Sequence, residues 1–223
     1  AQYISHPEDL VYPLPDHLSY EVASLVEPLS VGIHTAKRTG LKPGSTILIS
    51  GMGPVGLMMI LAAKAFGVKR IIVSDVEPLR LQMAARLGAW KTLNVLQDDI
   101  RGIVHRVTEQ VGVDMVIDTS GAPKALATGI EILKRGGKLA AIGFPSTEHV
   151  PLNITLMLQK EIDFHSIYRY TNTYPLGLEI LASEPDAETI ITNRYPLTNV
   201  HEAFEKLRKD KRNTVKVIVH PSN

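Results

Sequence analysis

Thr46-Ile47-Leu48-Ile49-Ser50-Gly51-Met52-Gly53-Pro54-Val55-Gly56 runs from an apolar, strand-like segment into a glycine turn, and the turn opens a second apolar stretch over residues 57–66. A further strand-like run, residues 70–74, then ends on Asp75. Strand, Gly-x-Gly-x-x-Gly turn, helix, strand and acid, with the acid about 20 residues beyond the third glycine, form the dinucleotide-binding fingerprint in the context it requires. The three glycines serve different ends. Gly51 permits a tight turn, Gly53 lets the backbone approach a pyrophosphate, and Gly56 lets helix and strand pack closely. The pyrophosphate would rest at the helix N-terminus, where unpaired N–H groups and the macrodipole favour negative charge. Asp75 would accept hydrogen bonds from the adenosine ribose hydroxyls. A carboxylate there opposes a 2′-phosphate, so the pattern favours NAD over NADP. Arg80, five positions on, is a residue type that can receive such a phosphate and keeps the alternative open. The bland alternative is a glycine turn that binds nothing.

Outward from this unit, strands and helices alternate. Residues 1–19 are rich in proline and read as strand remnants and turns. Ser19 is placed to cap a helix that continues past Pro28 to Lys37-Arg38, with Thr39-Gly40 as its stop. The helix after the glycine turn ends at Gly67, and another spans 78–88. A short strand at 92–95 and an amphipathic helix at 98–110 follow. The apolar strand 114–118 is closed by Thr119-Ser120-Gly121, then come a helix over 123–134, a Gly136-Gly137 turn and a strand over 138–143. Continuous apolar strands between helices signal a parallel sheet covered on both faces, hence an α/β, doubly wound Rossmann fold. Beyond Gly143 the pattern loosens into a strand at 163–168 and a helix at 174–182. After the break at Glu184-Pro185-Asp186, strand 190–197, helix 200–208 and strand 214–220 do not extend the alternation naturally.

Composition narrows the function classes. The 223 residues are 44% hydrophobic and 21% charged, the profile of an ordinary globular protein. A net charge of +1 gives no electrostatic reason to expect nucleic acid or an acidic membrane. The basic run over residues 206–212 reads as a solvated helix end. No signal pattern or apolar stretch of membrane-spanning length is present, so a cytoplasmic enzyme is the default expectation. With no cysteine there is no disulfide, thiolate nucleophile or cysteine-ligated zinc. The eight histidines form no His-x-His or His-Glu-x-x-His pair, so no local metal signature exists. No Gly-x-Ser-x-Gly elbow suggests a hydrolase.

Four segments carry a family resemblance. Glu27-Pro28-Leu29-Ser30-Val31-Gly32-Ile33-His34 is similar to a bridging-helix motif. The Gly51–Gly56 turn with Leu57, the strand end Asp118-Thr119-Ser120-Gly121, and Tyr168-Arg169-Tyr170-Thr171-Asn172-Thr173-Tyr174 complete the set. Together they resemble the zinc-dependent medium-chain dehydrogenases, in particular the polyol (sorbitol, xylitol, arabinitol) branch. The resemblance implies a Rossmann domain over 20–185. It further implies remnants of a chaperonin-10-like catalytic domain at both ends, residues 1–19 and a return segment over 186–223. That domain supplies the family's zinc ligands, usually a Cys and a His with a nearby Glu. Their lack here implies a truncated form or a chain that has lost the metal site.

By the same resemblance, Gly51, Gly53, Pro54, Val55 and Gly56 would cradle the pyrophosphate, with Asp75 on the adenosine ribose and Arg80 against the adenine or its ribose. Ile142, Gly143 and Phe144 would present backbone groups to the nicotinamide, flanked by Tyr168 and Arg169. Arg169 and Tyr170 would reach the hydroxyls of a polyol or ketose. Glu27 would approach a catalytic zinc or its water; its alternative is a helix carboxylate paired with Arg169 or open to solvent. For Tyr168 and Tyr170 the alternative is packing on one strand face. The implied activity is hydride transfer between a sugar alcohol and NAD in a homo-oligomer joined through a coenzyme-domain edge strand. The other readings are a catalytically silent NAD-binding association module and a repurposed metal-free enzyme.

Overall fold

The computed structural model describes residues 3–221. Its centre is β1 (Thr46–Ser50), buried at every position. A strand covered by helices on both faces needs no polar face, which explains the unbroken Thr-Ile-Leu-Ile-Ser run. β1 pairs in parallel with β2 (Arg70–Asp75) on one side and β4 (Val113–Asp118) on the other. With β3 (Lys91–Asn94), β5 (Leu133–Ala141) and β6 (Asp163–Ser166) the sheet order is β3-β2-β1-β4-β5-β6. The direction in which successive strands are added reverses at β1, with β2 and β3 on one side and β4 to β6 on the other. At such a switch point an open α/β sheet leaves a crevice beyond the carboxyl ends of its strands.

Alternate strand residues feed two separate cores, as a period of two demands. Ile47, Ile49, Ile71, Val73, Met115 and Ile117 join one cluster, whereas Leu48, Ile72, Leu93, Val116 and Leu139 join the other. The first is covered by α3 (Pro54–Ala65), buried throughout residues 56–63. Outside α3 lies α2 (Val26–Thr39), itself mostly buried. The two helices meet where Gly32 sits over α3; a Cβ at Gly32 would lie 3.0 Å from Ala62 Cβ and 3.2 Å from Met59 Cα. The second core is covered by α5 (Ile100–Val107) and α6 (Pro123–Ile132).

The helix expected from Ser19 to Arg38 is two helices. Ser19 caps α1 (Tyr20–Ala23) through its side chain, as expected, but the chain turns at Ser24-Leu25 before α2 begins. Pro28 explains the break: it has no N–H to donate to the Ser24 carbonyl, so the helix restarts with proline in its first turn, where no donor is needed. Among residues 3–19 no strand forms; one 3-10 turn, Glu8–Leu10, is the regular element there. The helix expected over 123–134 stops at Ile132, and Gly136-Gly137, expected as a turn, lies inside β5, where the pairing with β4 shifts register. β5 ends at Ala141 and β6 at Ser166, both two residues short of expectation. A further helix, α7 (Ile154–Lys160), is not signalled by the sequence pattern. Its Lys160 Nζ donates to the carbonyls of Ile130, Glu131 and Leu133 at 3.2, 2.6 and 2.7 Å, capping the end of α6.

α4 (Pro78–Arg86) and α8 (Tyr174–Ser183) complete the layers. The closing strand, helix and strand form as expected: β7 (Ile191–Pro196), α9 (Val200–Lys209) and β8 (Lys216–His220) build a separate two-stranded parallel sheet. Its Ile191 and the adjoining Val215 belong to the first core. Arg194 Nε donates to both oxygens of Glu21 at 2.9 and 2.8 Å, and His220 Nε2 lies 2.8 Å from the same carboxylate. The basic run at 206–212 has Lys206 paired with Asp210, and Arg208 and Lys209 with Glu205, as expected of a solvated helix end. No helix among the described residues is long and apolar enough to cross a membrane.

Substituting Gly32→Val is expected to force α2 off α3 and lower stability by about 1–3 kcal/mol in urea unfolding; an unchanged midpoint would refute the close-approach argument. The Arg194 guanidinium holds the Glu21 carboxyl below its ordinary value. A lowered acid supports the fold above its unfolded pKa and loses that support as pH falls through the folded one. Acidification from about pH 7 to about pH 3 should therefore raise hydrogen exchange in β7 and β8 before the central sheet, and Glu21→Gln should remove most of the difference.

Candidate functional site

At the crevice the glycines divide into two kinds. Gly51 has φ +88°, and its N–H donates to the Ser74 carbonyl at 2.8 Å. A Cβ there would lie 2.9 Å from Ser120 N, and a Cβ at Gly56 would lie 1.8 Å from the Gly51 carbonyl oxygen. Both positions are thus fixed by the protein's own packing. Gly53 is different. Its φ is an ordinary −70°, and nothing lies within 4 Å of the place its Cβ would take. It is the N-cap of α3, offers no side chain to the helix, and is followed by Pro54 at the first helical position. The result is an open cradle at the N-terminus of a buried three-turn helix.

Asp75 borders this turn and is 7% exposed. Its Oδ2 accepts from Met52 N at 2.6 Å and its Oδ1 from Glu77 N at 2.8 Å. A carboxylate oxygen has two lone pairs, so each retains one. The acid therefore locks the glycine turn to the end of β2 and keeps acceptor capacity for a hydroxyl pair. Arg80 is engaged elsewhere: its Nη2 donates to the Lys211 carbonyl at 2.9 Å, tying α4 to the C-terminal segment.

The opposite wall is built by the loops after β4 and β5. Thr119 Oγ1 donates to the carbonyls of Ser50 and Gly51 at 3.0 and 2.6 Å, clamping the turn from across the sheet. Fully buried Asp118 accepts from Ser120 Oγ, Ser120 N and Gly121 N at 2.6, 3.1 and 3.1 Å. Burial pushes its carboxyl up, and those hydrogen bonds oppose the rise. The N–H groups of Ile142 and Gly143 both donate to the Asp118 carbonyl, at 2.8 and 3.0 Å. The backbone groups they keep for a ligand are carbonyls.

Tyr168 and Tyr170 do not share a strand face, because β6 ends before them. Tyr168 is 67% exposed, meets Phe144 edge-on at 6.1 Å, and carries the Arg169 guanidinium 5.4 Å from its ring centroid. Arg169 has φ +53°, a conformation in the left-handed region that directs successive side chains apart. Tyr170 turns to the other side, its hydroxyl 3.0 Å from that of Tyr174, with the Tyr12 ring tilted against Tyr174 at 5.5 Å. Burial, Tyr174 and the neighbouring Glu27 carboxylate all push the Tyr170 phenol up, so it stays protonated across the physiological range. Glu27 is exposed at the start of α2 and faces this phenol, not Arg169. Among the described residues no three His, Cys, Asp or Glu side chains, around Glu27 or elsewhere, come together as a metal site. A zinc ion does not fit the residues present.

The structure thus gathers the glycine turn and Asp75 at one side of the crevice. Phe144, Tyr168 and Arg169 make a second group, and Glu27 and Tyr170 a third. Sequence reading missed the clamping role of Asp118 and Thr119 and the phenol partners Tyr12 and Tyr174. An Asp-Thr-Ser-Gly run closing a strand is itself a signal for side-chain-to-backbone bonding.

Comparison with known proteins adds an independent line. Residues 54–183 match the family described as zinc-binding dehydrogenase, more than half of the chain. The chain is 47% identical to a sorbitol dehydrogenase of Bacillus subtilis over 100% of its own length and 63% of that protein's. It is 38% identical to an L-idonate 5-dehydrogenase of Vitis vinifera over 92% of itself and 58% of that protein. Among solved structures, an Escherichia coli oxidoreductase/dehydrogenase of unknown specificity superposes with a TM-score of 0.91 at 33% identity, covering 96% of this chain and 62% of the other. The chain therefore spans less than two thirds of the relatives it matches.

The two kinds of glycine predict different substitutions. Gly53→Ala should leave the thermal midpoint within about 2 °C of the parent, whereas Gly56→Ala should cost more than about 3 kcal/mol because a backbone oxygen occupies its space. Equal effects of both in a thermal melt would contradict the division.

Proposed function

We propose, on the premise that this chain belongs to the zinc-binding dehydrogenase family, that it holds NAD for hydride transfer between a small polyol and the corresponding ketose. The observation that carries the reading is the open cradle at Gly53, at the head of α3 and beside an acid already oriented by two backbone N–H groups. Backbone groups of Gly51, Gly53, Pro54, Val55 and Gly56 would enclose the pyrophosphate, where the helix dipole favours its charge. The free lone pairs of Asp75 would take the ribose hydroxyls, with Arg80 behind. Carbonyls of Ile142 and Gly143, the Phe144 backbone, Tyr168 and Arg169 would border the nicotinamide. When bound, NAD supplies the hydride acceptor.

The chain's own contribution is position and polarity. Arg169 offers a fixed guanidinium fork to neighbouring hydroxyls of a polyol. Tyr170, protonated at neutral pH, acts toward such a hydroxyl as a hydrogen-bond donor and not as a base. No step is assigned to zinc, since the residues present do not assemble its ligands. A second reading, an NAD-binding association module without turnover of its own, is favoured by β6: an edge strand of the sheet whose residues are largely exposed, a surface on which a second copy can pair.

Titration calorimetry with NADH tests the first part. The parent protein should bind, and Gly53→Val should weaken binding by at least about tenfold, or 1.4 kcal/mol, without loss of fold. No heat from folded parent protein would end the NAD reading. Oxidation of sorbitol or xylitol, followed by NADH absorbance and reduced in Arg169→Ala, would support the dehydrogenase; binding without turnover on any polyol would support the association module.

A further inference from the structure

Beyond the ends of β2 and β3 lies a second concavity of about 520 Å³, continuous in sequence with Asp75. Val76, Glu77, Asn94 and Leu96 line one side, and Arg212, from the turn between α9 and β8, lines the other. Two features set it apart from ordinary surface. Its floor is apolar and open to solvent: Leu96 is 77% and Val76 44% exposed. Its lips are held in place by the backbone. Asn94 Oδ1 accepts from Leu96 N at 2.9 Å, while Asn94 Nδ2 donates to the Val76 carbonyl at 3.4 Å, so one amide fixes both apolar residues.

The facing turn is also built rather than loose. Asp210 Oδ1 accepts from Asn213 N at 3.2 Å and from Asn213 Nδ2 at 2.9 Å, closing the turn across Arg212. Arg80 then pins that turn to α4 by donating to the Lys211 carbonyl at 2.9 Å. Arg212 itself is exposed and makes no salt bridge or side-chain hydrogen bond among the described residues, although the cations at 206, 208 and 209 are all paired. A built turn thus carries an unengaged arginine at the rim of an apolar floor that begins one residue beyond the acid proposed to hold a ribose.

A flat, electron-rich heterocycle suits such a slot. An apolar floor removes its face from water, and a guanidinium plane stacks on the other face with cation–π attraction. A phosphate suits it less, because Glu77 and Asp75 place two carboxylates at the same edge. We propose that Arg212 is a binding residue for the adenine ring of the coenzyme, closing the slot over Val76 and Leu96 from a turn that Arg80 ties to α4. This rests on the NAD reading and deepens it: the C-terminal unit supplies part of the coenzyme site.

Three probes and two variants test it, with affinities of NADH, 5′-AMP and nicotinamide mononucleotide measured by calorimetry on the full chain. Arg212→Ala should weaken NADH and 5′-AMP equally, by about five- to tenfold, and leave nicotinamide mononucleotide unchanged. Arg212→Lys, which keeps the charge and loses the plane, should recover little of the loss. Unchanged 5′-AMP affinity in Arg212→Ala, with NADH still bound by the parent, would overturn this proposal alone. Full recovery in Arg212→Lys together with a preference for NADPH over NADH would overturn it in favour of a phosphate site. A folded parent that binds neither NADH nor 5′-AMP would overturn both this proposal and the NAD reading.

Discussion

The contact between Gly56 and the carbonyl of Gly51 sets how closely α3 can approach the end of β1. With no side chain at either position, the helix starts against the strand that precedes it, and its first turn faces the crevice at the sheet's switch point. The layers follow from that placement. α3 is buried along most of its length because α2 covers it, and α2 can do so because Gly32 brings the two backbones together. Position, not any special side chain, makes the start of α3 available to an anion.

The walls of the crevice show a division between groups that shape and groups that remain free. Asp75, Asp118 and Thr119 are engaged with backbone partners around the glycine turn and the loops beside it. The groups left open are the space at Gly53, the exposed faces of Phe144 and Tyr168, and the Arg169 guanidinium. Asp75 belongs to both sets, since each of its oxygens retains a lone pair. Buried and hydrogen-bonded polar groups of this kind give a site its rigidity.

Much of the fold was legible because its signals are local and repeated. Apolar runs of five or six residues ending in Gly, Asp or Ser marked the central strands, and the Gly-x-Gly-x-x-Gly pattern marked the turn between β1 and α3. Other features depend on contacts that no local pattern reveals. β5 swallows the Gly136-Gly137 pair because β4 offers pairing partners on both sides of it. α7 is too short for a periodic signal and is secured by Lys160 reaching the carbonyl end of α6. Tyr168 and Tyr170 look alike in sequence, yet the positive φ of Arg169 between them sends one to Phe144 and the other to Tyr174. Arg80 was read toward the adenosine, while its visible bond runs to Lys211.

The clamp from Thr119 onto the Gly51 carbonyl joins positions 68 apart in the chain. The glycine turn and α3 precede β4 in the chain, so Asp75 at the end of β2 restrains the turn first and the Thr119 clamp is added only when the fourth strand docks. A contact with such a distant neighbour pays loop-closure entropy before it is gained. The outer clamp on the glycine turn is therefore a long-range contact, made only once the two halves of the sheet have met.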